Sequence, residues 1–174
     1  MNKKIFIASD HAGYEMKTKL NEYFNSFIDL GTNSFDSVDY PDFAHKLTSE
    51  VLKNVGSLGI LICGTGVGMS IAANRSKGIR AGLVNNVEVA RLVRQHNDAN
   101  VLIIPGRFME DEEAKNCVQT FIDTEFEAGR HKKKSRENMS IDFFNKNIKD
   151  VDPEVYETLK KELERQQNQI ELIA

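Results

Sequence analysis

Residues 60–75 read ILICGTGVGMSIAANR: an apolar run that stops at Cys63, a loop with glycine at 64, 66 and 68, then small and apolar residues at helical spacing. An apolar stretch this short and rich in isoleucine is a strand buried on both faces, and the glycines let the backbone turn tightly into a helix over 67–76. Strand, glycine loop and helix in succession form the repeating unit of parallel α/β sheets. The same alternation extends in both directions. Strands are predicted at 4–9, 27–30, 58–62, 79–84 and 100–104, and helices at 13–24, 42–55, 67–76, 87–95 and 111–126. Leu20, Phe24, Val89, Leu92, Val93, Val118, Phe121 and Ile122 mark the core-facing stripes of those helices. With right-handed crossovers these elements stack as a three-layer αβα sandwich, a Rossmann-like α/β fold with a five-stranded parallel sheet. Strand order is not set by the sequence. In doubly wound sheets, however, ligands lie at the carboxyl ends of strands where the winding reverses, which can bring SDHAG (9–13) beside CGTGVG (63–68).

Composition narrows the class of function. The chain has 174 residues, 40% of them hydrophobic, enough for one packed domain. A net charge of −3 gives no global attraction to nucleic acid or to an anionic membrane, so any anion site is a local cluster and the partners are small molecules. The start, MNKKIFIASDHAG, is far short of a secretory apolar region, and no apolar run approaches the roughly 18 residues of a membrane span. Two cysteines, Cys63 and Cys117, make no disulfide framework, and a reducing cytoplasm is the expected home. After Gly129 comes a basic stretch, RHKKKSRE (130–137), then an expected helix over 136–146. A further helix is expected to start with Asp152 as its N-cap and Pro153 at its first position, carrying one apolar stripe of Val155, Leu159 and Leu163. The chain thus divides into a main domain over 1–150 and a C-terminal helical extension over 151–174, expected to contribute to oligomer contacts.

Three places carry chemistry. The glycine loop offers unpaired N–H groups and a positive helix end, where an anion or a developing oxyanion fits. It lacks the lysine of a Walker loop, and Met69 stands where a dinucleotide fingerprint needs glycine. Cys63 reads either as a small buried hydrophobe or as a thiol whose pKa is lowered from about 8.5 toward about 7 at a helix entrance, a usable base at neutral pH. Cys117, inside a helix at a core-like position, takes the first reading. Asp10 and His11 follow the first strand, where polar groups suit a cleft; capping of the next helix is the alternative for Asp10. His96 and Asn97 fall between a helix and the fifth strand, where His96 also reads as a favourable C-terminal charge. The basic stretch reads as a solvated face, a nucleic-acid patch or a phosphate clamp, the second disfavoured by the acidic whole. No HxxxH, HExxH or paired CxxC is present, so no metal is expected.

Taken in order, SDHAG (9–13), DYPDFA (39–44), ILICGTGVGMSIAANR (60–75), KGIRAGLV (77–84), RQHNDANVL (94–102) and AGRH (128–131) resemble the ribose-5-phosphate isomerase type B family, which includes galactose-6-phosphate and allose-6-phosphate isomerases. The likeness covers about residues 3–148. It implies an αβα sandwich, a homodimer or homotetramer with active sites between subunits, no metal or organic cofactor, and aldose–ketose isomerisation through a cis-enediolate. By that resemblance Cys63 is the base that shuttles a proton between the second and first carbons of the sugar, and Thr65 assists proton transfer among the oxygens. Backbone N–H groups of Gly64, Gly66, Val67, Gly68, Met69 and Ser70 stabilise the enediolate. His96 and Asp10 open the furanose ring, Asn97 positions the oxygens, and His11, Arg107, Arg130 and His131 surround the phosphate, some donated by the neighbouring subunit. Lys134 stands where close relatives often carry arginine; it keeps the charge without the bidentate fork, and whether Lys134 or Arg136 completes the phosphate site is open.

The expected reaction is therefore ribose 5-phosphate to ribulose 5-phosphate in the pentose phosphate pathway. A six-carbon substrate such as allose 6-phosphate is the near alternative, while His96 sets the chain apart from galactose-6-phosphate subunits, which tend to lack a histidine there. A sugar-phosphate or nucleotide-binding module without turnover is the competing class, and a nicotinamide dehydrogenase the third.

Overall fold

Each apolar run forms a strand: β1 (Ile5–Ser9), β2 (Ile28–Asp29), β3 (Leu58–Cys63), β4 (Ala81–Leu83) and β5 (Val101–Pro105). Helices α1 (Tyr14–Phe24), α2 (Tyr40–Lys53), α3 (Val67–Ala73), α4 (Val87–Asn97) and α5 (Asp111–Asp123) follow them in turn. The computed structural model describes residues 3–128 and 147–168, so the expected helix over 136–146 and the basic 130–136 cluster lie outside the described residues. All strand pairs are parallel, in the order β2-β1-β3-β5-β4.

Alternation along the strands divides the core between two faces. Ile7, Ile60, Ile62, Leu102 and Ile104 pack with Leu20 of α1, Ala90 of α4 and Val118 and Phe121 of α5. On the other face Phe6, Ala8, Leu61, Cys63 and Ile103 pack with Leu47 of α2 and Met69 and Ala73 of α3. This is the expected three-layer α/β sandwich. Cys117 is fully buried among the first group, as its helical position implied.

Differences from the predicted boundaries have local causes. The outermost strands, β2 and β4, are short because each has a neighbour on one side only. Helix α3 stops at Ala73, before the expected 76, where the Asn74 side chain turns to β4: its Nδ2 donates to Ala81 O (2.9 Å) and its Oδ1 accepts from Ala81 N–H (2.9 Å). Helix α4 runs two residues past the expected 95, so His96 and Asn97 belong to its last turn rather than to a loop. It ends where Asp98 takes a left-handed conformation at φ 49°.

The chain separates into two compact units, Met1–Arg136 and Glu137–Ala174. In the second, a single turn, α6 (Ile148–Val151), precedes α7 (Pro153–Asn168). The Asp152 carboxylate accepts from Val155 N–H at 3.1 Å, the capping contact that the sequence implied. Val155, Leu159 and Leu163 all face outward, about half exposed.

One contact fixes the relation of β1 to β3. Gly13, just before α1, lies so close to β3 that a Cβ there would sit 2.6 Å from Ile62 O and 2.8 Å from Ile62 C. Those are backbone atoms of a central strand and cannot step aside without breaking the ladder. Gly13→Ala is therefore expected to cost about 3 kcal/mol, the upper end of the range for overpacking, read as a lowered urea midpoint at unchanged slope. A midpoint shift equivalent to less than about 1 kcal/mol would show that α1 can move away freely.

Candidate functional site

The winding reverses at β1, whose neighbours are β2 on one side and β3 on the other. Ser9 is in register with Ile62, so Asp10 follows at the carboxyl edge beside Cys63, and Asp10 N–H donates to Ile62 O (3.2 Å). On the other side of β3, Cys63 is in register with Pro105 of β5. The next two residues hold the start of the glycine loop: Gly106 N–H donates to Cys63 O (2.8 Å) and Arg107 N–H to Gly64 O (3.1 Å). The Arg107 side chain crosses Gly64, where an added Cβ would meet its Cδ at 3.4 Å. Asp10, Cys63, Thr65, the glycine loop and Arg107 thus converge on one edge of the sheet.

The loop wraps the sulfur. Cys63 is 5% exposed, and its Sγ accepts from Gly66 N–H at 3.2 Å. Gly66 turns the chain at φ 76°, a conformation that favours glycine, and a Cβ there would lie 2.3 Å from Leu83 Cδ1, which would have to swing aside. Val67 N–H donates to Thr65 Oγ1 (3.4 Å), and Ser70 N–H is taken up inside α3 by Gly66 O (3.0 Å). Met69 contributes its N–H to the sulfur while its side chain is fully buried in the core. The backbone amides of Thr65, Gly66 and Met69 therefore first serve the base itself.

The expected downward shift of the thiol is corrected here. Burial pushes Cys63 above its ordinary value of 9.0 and the nearby Asp10 charge adds to the rise, while N–H groups of Met69, Gly66 and Thr65 pull it down without prevailing. A seven-residue helix is a short dipole, and the sulfur sits against Leu61, Met69 and Ile103 rather than in water. The sign follows directly. A thiol whose pKa rises on folding favours the neutral form, so the folded state loses stability as pH climbs above 9.0, and thiolate chemistry grows over the same range. Inactivation of the free protein by iodoacetamide is expected to accelerate with pH through 9.0, in a Cys63-dependent manner. A rate that levels off near pH 7 would contradict the burial argument.

Asp10 also performs the capping role given as its alternative, since its Oδ1 accepts from Gly13 N–H at 3.0 Å. His11 is half-buried next to it, and its Nδ1 accepts from Val38 N–H at 3.3 Å. That bond leaves Nδ1 bare and, in the neutral ring, puts the proton on Nε2. Tyr40, in the DYPDFA stretch, was given no role by the sequence reading. Its ring lies over Gly68, where a Cβ would meet Cζ at 2.7 Å and Oη at 3.1 Å. The only signal for it is an aromatic just before the helix-starting Pro41.

His96 and Asn97 are not brought to this edge. Helix α4 follows β4 and runs back antiparallel to it, so its end lies at the amino edge of the sheet, just before β5 begins at Val101. Val101 pairs with Gly59, four positions before Cys63, a separation of about 13 Å along the strand alone. Arg130, His131 and Lys134 lie outside the described residues. Among the described residues no group of three or more His, Cys, Asp or Glu is placed to hold a metal, and no helix is long and apolar enough to cross a membrane.

Known proteins share this arrangement. Residues 5–137 match the Ribose/Galactose Isomerase family. A probable ribose-5-phosphate isomerase B of Mycoplasma pneumoniae is 48% identical over 139 residues, covering 77% of this chain and 91% of the relative. The crystal structure of a ribose 5-phosphate isomerase from Thermotoga maritima superposes with TM-score 0.79 at 48% identity, over 81% of this chain and all of that one. A ribose-5-phosphate isomerase B from Mycoplasma genitalium, solved with bound ribulose-5-phosphate, gives 0.77 at 45% identity, over 80% of this chain and 95% of that one. With the matched residues holding the whole sheet and the loop around Cys63, this chain belongs to the ribose/galactose isomerase family.

Proposed function

We infer that the chain interconverts D-ribose 5-phosphate and D-ribulose 5-phosphate. The observation that carries this is the sulfur of Cys63, wrapped by loop amides and flanked by Asp10 and Arg107 at the point where the sheet reverses, in a family whose solved members include one with ribulose-5-phosphate bound. Cys63, as thiolate, takes the proton from the second carbon of the open-chain aldose and returns it to the first. Thr65 carries the accompanying proton between the two oxygens, so the carbonyl moves by one position. Oxidation of one carbon is balanced by reduction of its neighbour. Loop N–H groups before Ser70, whose own N–H is taken up by Gly66 O, hold the charge that appears on oxygen between the two transfers. Asp10 and His96 open the ring, Asn97 orients the oxygens, and His11, Arg107, Arg130, His131 and Lys134 bind the phosphate. The reaction runs in the cytoplasm, where the thiol stays reduced.

The active form is a homodimer or a dimer of such dimers. One chain holds Cys63 and His96 at opposite edges of its sheet, so a site that uses both is completed by a second copy. An apolar surface next to the glycine loop supports this: Val67 is 51% exposed, Ile71 one turn later 58%, and Leu83, against Gly66, 38%. Residues 1–150 form the isomerase domain and the extension beyond them adds to the oligomer contacts. Incubating the purified protein with ribose 5-phosphate and chelator, beside allose 6-phosphate, is expected to give ketose at least tenfold faster from the pentose. Faster conversion of the hexose phosphate would transfer the assignment to it, and binding without turnover would favour a sensor.

A further inference from the structure

Helix α4 ends in an unusual way. Asp98 occupies the position after its last turn at φ 49°, a conformation that favours glycine or asparagine, and it places a carboxylate at the negative end of the helix. Both features are unfavourable by themselves. Two guanidinium groups offset them: Arg80 Nη2 donates to Asp98 Oδ2 at 2.6 Å, and Arg94 Nη1 pairs with Asp98 Oδ1. Arg80 Nε also donates to the carbonyls of Asn97 (3.1 Å) and Asp98 (2.8 Å), and Arg94 Nη1 to that of Ala99 (3.1 Å). The start of the Arg80 segment is tied to the same place, because Asn100 accepts from Arg80 N–H (2.8 Å) and donates to Gly78 O (2.9 Å). On the other side of His96, Gln95 O accepts from Glu127 N–H (2.9 Å) and Gln95 Nε2 donates to Glu127 (2.9 Å). The residues on both flanks of His96 are thus fixed, and the three charged side chains of the clasp are no more than about one-third exposed.

We propose that the Arg80–Asp98–Arg94 clasp is the positioning device for His96: it sets the helix end from which the imidazole serves the ring-opening step. The proposal rests on the ring-opening reading of His96 given above. A helix end secured only by its backbone would fray, and a ring displaced by about 1 Å from its proton-transfer geometry costs on the order of 10²-fold in rate. Asp98 and Arg80 touch no reacting atom in this account. They act through the His96 ring whose helix end they hold.

The chemistry of the two sugars separates this role from a general loss of structure. Ribose 5-phosphate is mostly a closed furanose, whereas ribulose 5-phosphate cannot close, because the oxygen it would need is esterified with phosphate. Ring opening is therefore needed for net turnover of ribose 5-phosphate but not for exchange of the C1 hydrogen of ribulose 5-phosphate with D₂O, which needs Cys63, its loop and the bound phosphate but no ring opening. Asp98→Asn is expected to lower kcat/KM for ribose 5-phosphate by about 10- to 100-fold while C1 exchange stays within about threefold of the parent. Arg80→Lys, which keeps the charge and loses the fork, is expected to show the same split at smaller amplitude. Retained exchange in either variant also shows that the sheet and the Cys63 loop are folded. Equal loss of turnover and exchange in both variants, or unchanged turnover in both, overturns the proposal. His96→Gln is the control for the underlying reading: if it shows the split and the clasp variants do not, the clasp has no positioning role. If His96→Gln keeps full turnover, the ring-opening reading fails instead, and the proposal fails with it.

Discussion

Cys63→Ala is expected to reduce turnover of ribose 5-phosphate by about 10³-fold, within the range that a positioned general base supplies. The cause is chemical and local. The sulfur combines proton affinity with a shell of N–H donors, and alanine leaves the carbon acid without that acceptor. Stability should change little, because Cys63 is a small side chain at the end of β3 and its loss leaves a cavity of roughly one sulfur atom. The measurement is ketose formation together with a thermal melt. A variant that melts like the parent and still turns over within tenfold of it would remove Cys63 from the mechanism. Cys63→Ser is expected to be as inactive as alanine, since an alcohol lacks the acidity that even a raised thiol keeps.

Mixing two inactive variants is expected to restore activity. If Cys63 of one chain works with His96 of another, Cys63→Ala and His96→Asn chains unfolded and refolded together form mixed dimers in which one site has both defects and the other has neither. Random assortment in a two-fold dimer then returns about a quarter of the parent activity, from two preparations that are each nearly inactive. Topology separates the two groups within one chain: α4 delivers His96 to the amino edge of the sheet, and Cys63 ends β3 at the carboxyl edge. Rotation of side chains cannot close a gap set by the length of β5. No recovery, with mixed dimers demonstrated by mass, would mean that His96 does not act across the subunit boundary.

Much of this was legible in the chain. The strands β1, β3 and β5 are continuous apolar runs because both of their faces are covered, and such runs stand out against the charged helices. The convergence of SDHAG with CGTGVG was also foreseeable, since it needs only that β1 and β3 meet at the reversal. Arg107 is different. It reaches the loop because β5 inserts between β3 and β4, and strand order depends on long-range packing that no local pattern encodes. The resemblance supplied Arg107, where periodicity alone did not. The direction of the Cys63 shift was misjudged for a related reason: a loop of glycines signals N–H donors, but part of the hydrocarbon around the sulfur comes from Ile103 on β5, remote in sequence. Likewise, the position of Asp98 between two arginines was not visible, because Arg80 is 18 residues away from it in the chain.

The insertion of β5 between two earlier strands bears on synthesis. A nascent chain that has left the ribosome only as far as residue 100 holds β4 without any hydrogen-bonding neighbour and leaves one flank of β3 bare. The middle of the sheet closes only when α4 has emerged and Val101–Pro105 arrives to join both neighbours at once. Productive folding during translation therefore waits for about three-fifths of the 174 residues, and ribosome stalling before that point exposes two sticky strand edges to whatever chaperone is at the exit.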